Sequence, residues 1–211
     1  MITLQASRLT EEQLEIITST EPCLTVTAYA GTGKTTTIRA LAQARPHERM
    51  LYLAFNRSLA TETRAAFGDL KNVEVKTLHG LAWHECGRNY RKIADIRPFE
   101  LSSFINSRLS DSFEDSFGLA RIVLDGLNDW LNSAYREIEL FLKNYARRLG
   151  LRTKELNAGS RDGKIDVKTV QNLIKETWSA CQNRRLAMPH NGYLKLFQLS
   201  QKNVSCPLTA S

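Results

Sequence analysis

The chain has 211 residues, enough for one large domain or one and a half, and its 42% hydrophobic and 24% charged content is that of a water-soluble globular fold. No apolar run approaches the ~20 residues of a membrane helix, and Met1 to Arg8 lacks the basic-then-apolar layout of a signal peptide. A cytoplasmic chain, or a nuclear one in a eukaryote, is expected, with no membrane partner. The net charge of +7 favours a polyanionic partner through counterion release, although many basic domains bind no nucleic acid.

Cys23, Cys86, Cys181 and Cys206 are far apart and form no C-x-x-C pair, so neither a zinc site nor a disulfide framework is expected. His84 and Cys86 are two ligands, too few for a metal. Buried thiols in a reducing compartment fit better.

In chain order, Thr10-Glu11-Glu12-Gln13 has the form of a capping box and predicts a helix to about Thr18, ended by Glu21-Pro22. Leu24-Thr25-Val26-Thr27 predicts a strand. Ala28-Tyr29-Ala30-Gly31-Thr32-Gly33-Lys34-Thr35 then leads into a helix over Thr36 to Ala44. At such a strand-to-helix junction the backbone N–H groups converge on one anion. Gly31 and Gly33 let the backbone curl, Lys34 can reach β/γ-phosphates, and the Thr35 hydroxyl can hold Mg²⁺. Ala28 stands where the commoner pattern has glycine. The alternative is a glycine-containing turn with no ligand.

After the connector Arg45 to Glu48, Met50 to Phe55 predicts a fully buried strand, Arg57 to Phe67 a helix and Val73 to Val75 a third strand. Thr77 caps another helix to about Cys86. Strands alternating with helices predict a parallel α/β sheet. From about Arg88 to Ala187 strand signals vanish. Helical spacing runs over Pro98 to Leu109, Ser116 to Leu131, Ser133 to Leu149 and Val167 to Leu186, with a polar loop over Ala158 to Lys164. The stripe Leu119, Ile122, Val123, Leu127, Trp130, Leu131 and Ala134 is one example.

These pieces in this order resemble the N-terminal half of superfamily 1 UvrD/Rep-like DNA helicases, most of all the F-box DNA helicase branch and its bacterial relatives. Leu9 to Gln13 is similar to the family's adenine-reading Q motif, and the loop with alanine first is the form this group uses. Ala54 to Ala60 is similar to motif Ia and Thr77 to Ala82 to motif Ib. The resemblance implies an incomplete RecA-like P-loop NTPase fold (α/β, parallel sheet) with an all-helical insertion. Residues 1–88 would be the first part of ATP-binding subdomain 1A, 89–187 the helical subdomain 1B, and 188–211 the return toward 1A. It implies ATP and Mg²⁺ as cofactors. Gln13, Ala28, Tyr29, Ala30, Gly31, Thr32, Gly33, Lys34, Thr35 and Thr36 would line the nucleotide, with Lys34 and Thr35 catalytic. Single-stranded DNA would meet Phe55, Asn56, Arg57, Thr77 and His79. Phe55 reads equally as core, Arg57 as a solvated helix start and His79 as a turn histidine. The implied activity is ATP-dependent 3′-to-5′ unwinding in repair or recombination, near the nucleoid or in the nucleus.

In the family the next element is a strand ending in Asp-Glu, which holds the metal and positions water. Gln201 to Ser211 contains no acid. Asp125, after Ile122-Val123-Leu124, is an imitation in a helical stripe. The expectation is a truncated front end, inactive alone, whose unpaired sheet edge invites self-association. A stand-alone ATP- and DNA-binding module without motor activity is the alternative.

Overall fold

Thr10 starts the first helix, α1 (Glu11–Thr18), by accepting a hydrogen bond from the Gln13 N–H at 3.3 Å, while its own N–H donates to Gln13 Oε1 at 3.0 Å. The structure is a computed structural model describing residues 9–109, 115–158 and 164–200, which fall into two compact units divided after Leu81.

In the first unit, α2 (Lys34–Ala44) packs on α1, and Arg45 Nη2 donates to the carbonyls of Ile17 (3.3 Å) and Ser19 (2.6 Å) at the end of α1. The strands β1 (Met50–Ala54) and β2 (Val73–Thr77) pair in parallel, Met50 opposite Val73 and Ala54 opposite Thr77. The crossover between them is α3 (Arg57–Ala66), and Ala54, Ala60, Phe67 and Val75 bury the small core beneath it. Asn72 fastens this unit: its Nδ2 lies 3.0, 3.1 and 3.2 Å from the carbonyls of Ala42, Arg45 and Glu48. Arg39 of α2 reaches the Ala66 carbonyl and the Asp69 carboxylate, and that contact holds Asp69 below the usual carboxylate range.

The α/β class with a parallel sheet is as expected, and β2 runs two residues beyond Val75. Leu24 to Thr27 departs from expectation. It lies in no strand among the described residues, and Leu24 and Val26 are each 49% exposed. β propensity alone makes no strand. A ladder needs a neighbour to accept and donate, and the described sheet contains only β1 and β2.

The second unit is helical. After α4 (Leu78–Glu85), which carries the chain across the division, come α5 (Pro98–Asn106), α6 (Ser116–Leu131), α7 (Ile138–Ala158), α8 (Val167–Gln182) and α9 (His190–Leu199). α6 is the hub, packing against the other four, and its stripe Leu119, Val123, Leu127, Trp130 lies in the core with Leu101, Leu149, Ile174 and Met188. A Cβ on Gly126 would come within 2.5 Å of Ile174 Cδ1, so glycine is what lets α6 and α8 approach this closely.

Several bounds differ from the sequence reading: α2 starts at Lys34 rather than Thr36, and α5 ends at Asn106 rather than Leu109. α7 starts at Ile138 rather than Ser133 and runs on to Ala158, and α8 ends at Gln182. Residues 188–200 lie within the helical unit, where Met188 bridges to Ile93 and α9 packs on α6. Residues 159–163 of the polar loop, the N-terminal eight and the tail from Gln201, with Cys206, lie outside the described residues. Among the described residues no helix is long and apolar enough to cross a membrane.

Candidate nucleotide-binding site

The loop before α2 is shaped by two left-handed glycines, Gly31 (φ 80°) and Gly33 (φ 82°), the second acting as the N-cap of α2. A Cβ at either would strain that conformation, and one at Gly33 would also meet Gln13 Nε2 at 3.0 Å. Successive turns of this kind aim backbone N–H groups outward, and the helix N-terminus adds its partial positive charge. The Lys34 ammonium folds over the loop and donates to the carbonyls of Ala28 (3.2 Å) and Tyr29 (2.6 Å). Thr32 Oγ1 donates to the Tyr29 carbonyl at 2.9 Å, which closes the curl. Ala30, Thr35 and Thr36 are exposed, and so is the Tyr29 ring. Thr37, one place on, is buried and donates its hydroxyl to the Gly33 carbonyl at 3.0 Å.

Gln13 joins the loop: its Nε2 donates to the Thr32 carbonyl at 3.4 Å while its Oε1 serves the cap of α1. An amide carries two N–H donors and two lone pairs, so one of each remains, the pair that an adenine N7 and N6–H ask for. The cap and the base-reading role are therefore compatible. The sequence suggested both roles but not that the loop itself would hold Gln13 in place.

The parallel register sets Ala54 opposite Thr77, so the residues that follow the two strands emerge at one sheet edge. Phe55 is 93% exposed, which rules out the core reading for this residue. Asn56 spends its side-chain oxygen on the N-cap of α3, accepting from the Leu59 N–H at 2.8 Å, and Arg57 is exposed in the first turn. Thr77 Oγ1 accepts from the Gly80 N–H at 3.0 Å, and His79 is exposed at the start of α4. Of these five, Phe55, Asn56, Arg57 and His79 are exposed and Thr77 is half-buried, and the side-chain oxygens of Asn56 and Thr77 accept from nearby backbone N–H groups. α2 ends where both strands begin, so the loop stands a helix length, about 16 Å, from the strands' starting edge.

Asp125 lies within α6 and accepts from Arg152 Nη1 at 2.5 Å, an ion pair on a helix rather than an acid at a strand end. Among the described residues no three His, Cys, Asp or Glu side chains converge as a metal site.

A family model described as an AAA domain matches residues 13–184, and the chain belongs to that family. Among curated proteins, F-box DNA helicase 1 of Gallus gallus is 28% identical over 96% of this chain and 20% of its own length. F-box DNA helicase protein 1 of Schizosaccharomyces pombe is 42% identical over 28% of this chain and 7% of its own. The resemblance drawn from the motifs is thus the one the comparisons return, and the chain spans about a fifth of the chicken relative's length. No solved structure matches.

Proposed function

We propose that this chain is the ATP- and single-stranded-DNA-binding part of a UvrD-like, ATP-dependent DNA helicase acting in repair or recombination, with 3′-to-5′ polarity belonging to the whole protein. The observation that carries this reading is the loop: two left-handed glycines at the head of a helix, with a lysine ammonium held over them. That donor set suits a triphosphate. Gly31 to Lys34 present N–H groups to the anion, Lys34 exchanges its two carbonyl partners for phosphate oxygens, and Gln13 offers its remaining N–H and lone pair to adenine. The exposed Thr35 hydroxyl would hold Mg²⁺, whose charge would offset that of the triphosphate.

DNA then meets the sheet edge. Phe55, with no core to satisfy, stacks on a base, and Arg57 and His79 take phosphates beside it. Residues 1–88 act as the first part of subdomain 1A and the helical residues 89–187 as subdomain 1B. This chain alone binds but does not unwind. The DNA half of the reading is tested by anisotropy of a labelled oligothymidylate against salt. The expected result is salt-weakened binding whose salt slope becomes shallower by about one in Arg57→Ala. Binding that ignores salt and both Phe55→Ala and Arg57→Ala would refute it.

A further inference from the structure

A cleft of about 450 Å³ opens in the helical unit, in the size range of small-ligand sites, and no residue assigned above lines it. Its apolar part includes the buried side chains of Ile96, Leu127 and Pro189, and its polar part is Asp95, Asn128, Asn132 and Asn191. The wall is pre-set. Asn132 donates to the Asn128 carbonyl at 2.8 Å and accepts from Asn191 Nδ2 at 3.0 Å. The segment carrying Asp95 is bridged to the one carrying Pro189 by Ala94 N–H to Met188 O (3.2 Å) and Met188 N–H to Lys92 O (3.0 Å). Within this wall the Asp95 carboxylate and the Asn128 side-chain amide have no hydrogen-bond partner among the described residues.

We propose that this cleft binds a guanine base. The cleft is lined mainly by polar groups over a small apolar floor of Ile96, Leu124, Leu127 and Pro189, so recognition there rests on hydrogen bonds, and the two uncommitted groups are the ones left to make them. A carboxylate accepts best from two donors side by side, which guanine supplies as N1–H and the 2-amino group. Adenine, cytosine and thymine each set an acceptor beside their donor on that edge. The Asn128 amide can then donate to guanine O6. Arg91 and Arg97 are exposed within four positions of Asp95 in sequence, while Lys92 is paired with Glu100 at 3.7 Å, so the segment carrying Asp95 is basic. A divalent cation is a poor match, because a single carboxylate lines the cleft.

The shared chemistry is the guanine base, whether in a DNA strand or as a free nucleotide, and two experiments on the full chain separate the sources. Saturation-transfer NMR with deoxyguanosine, deoxyinosine and deoxyadenosine reads the free base. Anisotropy of an oligothymidylate with and without one central dG reads the strand. The expected result is a deoxyguanosine signal weakened in deoxyinosine, or about tenfold tighter binding of the dG strand, in either case lost in Asp95→Asn and Asn128→Leu. Both positions are exposed, so the variants keep their melting temperature. A signal from the nucleoside alone assigns a free nucleotide, and one from the strand alone assigns DNA. Absence of guanine preference in both experiments, or a preference that survives both substitutions, overturns the proposal. Affinity for the all-thymidine strand reports the helicase reading separately.

Discussion

Lys195 is 1% exposed and lies in the helical unit with no carboxylate paired to it among the described residues. Its Nζ donates to the carbonyls of Ser133 (3.1 Å) and Tyr135 (2.5 Å) and sits 3.8 Å from the centre of the Trp130 ring. Burial pushes its ammonium down from 10.5 to about 8. Between pH 8 and 10.5 the unfolded chain therefore holds a proton that the folded chain has released, so this group's contribution to stability rises with pH across that window. Below pH 8 the folded protein bears the whole cost of the buried charge, about 3 kcal/mol at 1.36 kcal/mol per pKa unit. The test is urea unfolding of the parent and of Lys195→Met at about pH 7.5 and pH 10. Cys181 and Tyr145, each raised to about 12 mainly by burial, lose stability as pH rises, but they do so in both proteins and cancel in the difference. The parent should gain about 2 to 3 kcal/mol on the variant between the two pH values. A difference that stays flat or shrinks would refute the reasoning.

Gly126→Ala drives a methyl into Ile174 and should cost about 1 to 3 kcal/mol in denaturant unfolding. Adding Ile174→Val, which removes the colliding Cδ1, should restore part of it. Asn56→Ala removes the N-cap of α3 and should cost about 1 kcal/mol by the same assay. Phe55→Ala should leave stability within about 0.5 kcal/mol, because the ring is exposed, yet weaken single-stranded DNA binding by about 1 to 3 kcal/mol in anisotropy titrations.

What the sequence made legible was what local chemistry determines. The capping box of α1, the glycines of the loop and the apolar stripe of α6 could be read directly, because each depends on residues within a turn or two of one another. What it hid depends on distant partners. β2 extends to Thr77 because Lys76 and Thr77 pair with Leu53 and Ala54, and no local property of Lys76 announces that. Phe55 looks like the last core residue of an apolar run, but it falls one place beyond the paired register and points to solvent. α7 starts late because Ser133 and Tyr135 give their carbonyls to Lys195, some sixty residues on, instead of to a helical turn. The Asp95 and Asn128 cleft is likewise assembled from three separate segments. The i, i+4 spacing of Asn128 in α6 and Asn132 at its C-cap is a local trace of the cleft, but Leu127 of the apolar stripe lines it too, so periodicity alone does not separate cleft from core.

The central claim is that the loop over Gly31 to Thr35 holds a nucleoside triphosphate. Calorimetric titration of ATP with Mg²⁺ into this chain and into Lys34→Ala addresses it most directly. The account predicts saturable binding in the parent, weakened at least about tenfold in the variant, since the ammonium now on the Ala28 and Tyr29 carbonyls is the group that meets the phosphates. Equal binding by both proteins, or none by the parent while its fold is intact, would contradict it.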